Sequence, residues 1–261
     1  MSSSDITKQK FGVALRPSAV ALYEEIKNLY GKDVVVITGK DAQIALDRAG
    51  IATAKASVDD QGNPEITLYP GKTIKEATIV HELLHLKQYW NGAPSVARWG
   101  RPSDKSLDQN MELRFALTVD AISHYLMYPQ MRKMGFDPTV TEKSRVNELM
   151  RTKNFQAEYA DFAVELFSPA LVIGNSSLIL KFKEWFRRNR LVLPLDRGNK
   201  MVHHIVNHPP QSDKEIIKSA IEVMNILYDK KVRFQSEDYN TVKRGNLIQQ
   251  NLTIIVRPIG N

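Results

Sequence analysis

Three observations predict an α+β fold for this chain of 261 residues. Short β-branched runs fall in the first 70 residues and again near the end. Long stretches with apolar residues at helical spacing fill most of what lies between. One of those stretches carries His81-Glu82-Leu83-Leu84-His85, whose spacing is informative only on a helix.

Residues 1–12 are polar and read as a loose end. Pro17 to Tyr30 predicts a helix, with Val20, Ala21, Tyr23, Ile26, Leu29 and Tyr30 on its apolar side and Gly31 stopping it. Val34 to Thr38 is β-branched throughout and predicts a buried strand. Ile51–Val58 and Glu65–Tyr69 predict two strands joined through Asp60-Gln61-Gly62-Asn63, a hairpin-type turn. Pro70-Gly71 turns the chain into a helix over Thr73–Tyr89, which Gly92 and Pro94 stop. Ala93 to Asp108, rich in Pro, Gly, Ser and Asp, predicts a loop. A long helix follows over Asn110–Tyr128, with Pro129 as its expected end. Thr141–Arg151, Gln156–Phe167, Ser177–Arg188 and Ser212–Lys230 predict further helices, and Leu252–Val256 a final strand. Gly135-Phe136-Asp137-Pro138 is the candidate boundary, giving residues 1–137 as one region and the mainly helical 138–261 as another, packed on the first or separate from it.

Composition narrows the chemistry. The chain has no cysteine, so a metal would have to be held by His, Asp or Glu. No run approaches the roughly 18–20 apolar residues of a membrane span, and the first residues lack the basic and apolar regions of a signal peptide. The expectation is a cytoplasmic protein with no membrane partner. The net charge of +7 is unevenly placed: residues 1–180 hold 21 basic and 21 acidic residues, residues 181–261 hold 15 and 8. A basic face of that kind attracts nucleic acid or acidic partners, or is simply a solvated helix face.

Residues four apart on a helix share a face, so His81 and His85 can close on one metal ion. Glu82 sits about 100° further round, within reach of a water on that metal without ligating it. This H-E-x-x-H arrangement supplies two ligands and a general base from one helix. Catalytic zinc takes three protein ligands. The metzincin extension is excluded, because its glycine position is Gln88 and its last histidine position is Asn91. The following helix offers Glu112, Asp120 and His124. Glu112 and His124 are too far apart along the axis to share a metal, whereas Asp120 and His124 can act as ligand and hydrogen-bond partner.

The order of helix, short strands, metal helix, loop and second helix over residues 15–136 resembles the minimal core of zincin metallopeptidases, in a gluzincin-like arrangement. The stretch from His124 to Gly135-Phe136 also resembles poorly characterised bacterial H-E-x-x-H proteins that carry His or Asp at the His124 position. Lys87 departs from the zincin pattern, which has a hydrophobic residue there. The resemblance implies one Zn(2+) per chain held by His81, His85 and His124 with Asp120 beside it, and Glu82 as general base. It also implies a peptide or protein substrate aligned on an edge strand, for which the Ile51–Val58 and Glu65–Tyr69 pair is the candidate. The expected function is that of a zinc metallopeptidase. The alternatives are a regulatory or defence-type protein acting through a basic C-terminal half, and a binding module that keeps the zincin shape without turnover.

Two other features carry weaker chemistry. His203, His204 and His208 resemble a second metal set, but Pro209-Pro210 ends their helix and no acidic base lies between them, so capping or surface roles are favoured. Lys183 to Arg190 interleaves Trp185 and Phe186 with basic residues, which suits either nucleic-acid contact or a helix anchored by its aromatics. Tyr125, Tyr128, Tyr159 and the three later histidines are candidate donors to a developing oxyanion.

Overall fold

The structure, a computed structural model, describes residues 3–40, 42–44, 53–100, 110–151, 159–229, 232–244 and 247–258. It is mixed α+β, and the described residues divide into two compact units. The first comprises residues 1–93, 130–136 and 241–249, the second 94–129, 137–240 and 250–261. Among the described residues no helix is long and apolar enough to cross a membrane.

In the first unit, α1 (Ser3–Phe11) and α2 (Pro17–Tyr30) precede strands β1 (Val35–Ile37), β2 (Ala54–Val58) and β3 (Pro64–Leu68), and α3 (Glu76–Trp90) follows. The α1 helix corrects the expectation of a loose start. Phe11 is buried edge-on to the Tyr23 ring and the Thr7 hydroxyl accepts the Leu15 N–H, so tertiary contacts order a segment too polar to signal itself. Helix α2 has its expected bounds, with Pro17 in the first turn and Gly31 left-handed (φ 64°) at the end. The sheet order is β1-β3-β2, with β1 parallel and β2 antiparallel to β3. Strand β1 is less buried than its composition predicts: it lies at an edge, and Val35 is exposed. The turn before β3 forms as expected, because Asp59 Oδ1 accepts the Gln61 and Asn63 N–H groups. Those hydrogen bonds, Asn63's first, hold the Asp59 carboxyl below its ordinary value. Ile51 and Ala52, at the start of the predicted first hairpin strand, lie outside the described residues.

Helix α3 begins three residues later than expected, since Lys75 is extended. It packs on α2 and on β2 and β3. Ile79, Val80, Leu83, Leu84 and Leu86 are fully buried, each contributing about 1.5–3 kcal/mol of apolar burial. The Tyr30 hydroxyl donates to Leu86 O at 2.8 Å, and burial pushes that phenol's pKa upward.

The second unit holds β4 (Ser95–Gly100), most of α4 (Met111–Lys133), α5 (Val140–Arg151), α6 (Tyr159–Ile173), α7 (Ser177–Arg188), α8 (Val192–Asn207), α9 (Ile216–Tyr228) and most of β5 (Val232–Arg244) and β6 (Leu247–Pro258). Strand β4 corrects the loop expected over Ala93–Asp108; residues 101–109 lie outside the described residues. It pairs in parallel with β6, Ser95 opposite Asn251, in the order β4-β6-β5. Nothing local announces a strand whose partner is so distant in sequence. Helix α4 also runs past its expected end, carrying Pro129 inside it. Proline removes one backbone bond, yet the helix closes only at Gly135 (φ 83°), where the Phe136 N–H returns to Met131 O with both side chains buried. Helix α6 likewise carries Pro169 and ends before Gly174.

Helices α6 and α8 pack closely because α8 presents Gly198 at the contact. A Cβ there would meet Leu166 Cδ2 at 2.9 Å and Ala163 O at 3.0 Å. Around them Val146, Phe162, Leu166, Ile179, Phe182 and Phe186 form a core. Phe182 and Phe186 are fully buried and Trp185 packs against the same core, while Arg187 and Arg188 face solvent and pair with Glu184. The aromatics of Lys183–Arg190 therefore anchor their helix.

Candidate metal site

The geometry of α3 explains most of the site. His81 and His85 are half-buried on one face, their ring centroids 4.8 Å apart. Their Nε2 atoms converge to 3.2 Å. Two nitrogens bound to tetrahedral zinc at 2.0–2.1 Å sit about 3.3–3.4 Å apart, so the pair already has the spacing of two ligands on one ion. His85 Nδ1 lies 3.2 Å from Gln88 Oε1, one turn further along α3.

Glu82 is buried between this helix and the sheet. Its Oε2 accepts the Ala56 N–H at 2.7 Å, and its Oε1 lies 4.0 Å from His81 Nε2. The register makes this contact possible. Tyr69 N–H donates to Thr53 O and Asp59 N–H to Asn63 O, so the alternating ladder leaves Ala56 opposite Ile66 in a pair without inter-strand bonds. The Ala56 N–H thus points off the free edge of β2, towards the helix.

The third histidine comes from α4. One ring nitrogen each of His81, His85 and His124 lies within 4.8 Å of the other two, a group able to hold a metal ion. His124 is buried, stacks on Tyr128 at 4.9 Å, and has its Nε2 3.4 Å from Asp120 Oδ1. The structure thus brings together His81, His85 and His124 and places Asp120 beside the last; neither Asp120 nor Glu112 is in the group. The buried Arg114 guanidinium, near Glu112 in sequence, bonds Asp161 and the Tyr228 hydroxyl.

On the next helix, Glu142 of α5 is buried, with Oε2 lacking a hydrogen-bond partner among the described residues. Burial raises its pKa, helped by the charges of Asp120 and Glu165 and opposed by Arg145.

The later histidines form no second metal group among the described residues. His204 Nε2 meets Glu222 Oε2 at 2.9 Å, His203 bonds Asn207, and His208 ends α8. Of the candidate oxyanion donors, Tyr128 is buried against His124, Tyr125 is half-buried, and the Tyr159 side chain lies outside the described residues. Sequence reasoning missed the Ala56 N–H, which only the strand register reveals. It also passed over Gln88, although the i, i+3 spacing from His85 was visible.

No protein-family model matches this chain, and searches of curated proteins and of solved structures found no match.

Proposed function

We propose that this protein is a zinc-dependent metallopeptidase acting on an intracellular peptide or protein substrate. The observation that carries the reading is the convergence of His81 and His85 Nε2 to 3.2 Å, within a three-histidine group and one residue from a buried carboxylate. An all-imidazole donor set suits zinc and its borderline neighbours rather than calcium or magnesium. When bound, zinc would supply Lewis acidity, activating a water and polarising a carbonyl.

The chain's own residues do the rest. His81, His85 and His124 would hold the ion, with Asp120 accepting from the His124 ring. Glu82 would take a proton from the attacking water and pass it to the leaving amine. The Ala56 N–H fixes one of its oxygens, which leaves Oε1 on the histidine side as the proton acceptor. The apolar residues of α3 beneath the site limit water, which strengthens each electrostatic contact.

The test is metal content together with turnover of a fluorescence-quenched peptide library. One zinc per chain is expected, with Glu82→Gln lowering kcat at least about 100-fold while zinc stays bound. A wild-type chain that takes up no zinc overturns the reading. Zinc uptake with no turnover of any peptide would instead support a non-catalytic module of zincin shape.

A further inference from the structure

Gln88 has a polar side chain that is 95% buried, on the helix that carries both histidines of the pair. An unpaired amide there would cost roughly 1–3 kcal/mol, so its orientation is constrained by what it bonds. Its Oε1 faces His85 Nδ1 at 3.2 Å, while the other nitrogen of that ring, Nε2, faces His81. A carboxamide oxygen only accepts, so with Oε1 facing the ring the bond forms only when His85 carries its hydrogen on Nδ1. The lone pair of His85 is thereby left on Nε2, the atom at ligand spacing from His81. Had residue 88 presented a donor, the proton would move to Nε2 and the ring could not bind a metal through that atom.

We propose that Gln88 is the positioning residue of the metal site, fixing the tautomer and ring orientation of His85 by accepting from Nδ1. This rests on the metal-site reading above and adds a residue outside the H-E-x-x-H motif. Position and hydrogen bond both follow from α3: residues three apart are neighbours on a helix, and its burial against α2 and the sheet holds the pair in place. The partner is neutral where a carboxylate is a common alternative. A neutral amide donates less electron density through the imidazole, so an ion in this site keeps more of its Lewis acidity. The same reasoning predicts that a carboxylate at position 88 gives tighter binding and a weaker Lewis acid.

The experiment compares the full-length wild type with Gln88→Leu and Gln88→Glu. Zinc affinity is read by chelator competition, and the His85 tautomer in zinc-free protein by nitrogen NMR of the imidazole. The expected result is an Nδ1–H tautomer in the wild type, lost in Gln88→Leu, with zinc affinity about 10–100-fold weaker in that variant and equal or tighter in Gln88→Glu. Circular dichroism of the zinc-free variants separates this from misfolding, since rescue by Gln88→Glu requires an acceptor and not merely a buried side chain of similar size. Unchanged affinity in a folded Gln88→Leu, or an Nε2–H tautomer in the wild type, overturns the proposal and leaves the metal site standing. Failure of the wild type to bind zinc, with the expected tautomer intact, overturns the metal reading itself.

Discussion

At the scale of single residues, the site depends on where protons and charges are held. Glu142 gives the clearest pH prediction. Burial, then the nearby acidic charges, raise its pKa in the folded protein. Its stabilising contribution is therefore fully present below the unfolded value of about 4.3 and is lost as pH rises through the folded value. Glu142→Gln removes that loss. Thermal melting should place the variant above the wild type at pH 7, with the gap closing towards pH 4; a variant that melts lower at pH 7 would contradict this. The motif residues were legible because H-E-x-x-H is written in four consecutive spacings. His124 was one of three candidates on its helix, and only the folded arrangement puts it, and not Asp120 or Glu112, in a group that could hold a metal ion.

At the scale of elements, the free edge of β2 and the contact of α6 with α8 each invite a selective substitution. Ala56→Pro removes an N–H that serves Glu82 and no ladder bond, and an edge strand tolerates proline. Steady-state kinetics should show kcat falling about 10–100-fold with zinc affinity kept, since charge-assisted bonds of this kind contribute about 1.5–3 kcal/mol. Lys55→Pro, which breaks a ladder bond, should instead unfold the sheet. Gly198→Ala should cost about 1–3 kcal/mol through overpacking against Leu166, more than the roughly 0.5–1 kcal/mol that alanine adds in helix propensity. Urea denaturation measures the difference. Elements with local signals were read correctly: α2 from Pro17 and Gly31, and α7 over its observed span Ser177–Arg188, where the structure adds a cap, the Ser176 side chain accepting the Ile179 N–H. Those that were missed depend on distant partners. Strands β4 and β5 need β6, while of α8 only the end was legible, at His203–His208 before Pro209-Pro210, its first half carrying Pro194 and Gly198. Proline in a first turn gives up no helical bond, and Gly198 is there for close packing.

At the scale of the whole molecule, ligand binding and stability are linked. If the site holds zinc as proposed, a free zinc concentration of 100 times Kd should add about 2.7 kcal/mol to the stability of the native state. In a chain of this size that is a rise of roughly 5–10 °C in the midpoint. Differential scanning fluorimetry with and without a chelator should show it for the wild type, and His85→Ala should abolish it. The parallel pairing of β4 with β6 has a consequence for synthesis. Ser95 and its partner Asn251 are roughly 150 residues apart in the chain. At about 5–20 residues per second, a ribosome delivers the second strand some 8–30 s after the first. Throughout that interval the backbone of β4 emerges with its hydrogen-bonding groups unmatched, a nascent edge that a chaperone, or a neighbouring nascent chain, has time to find.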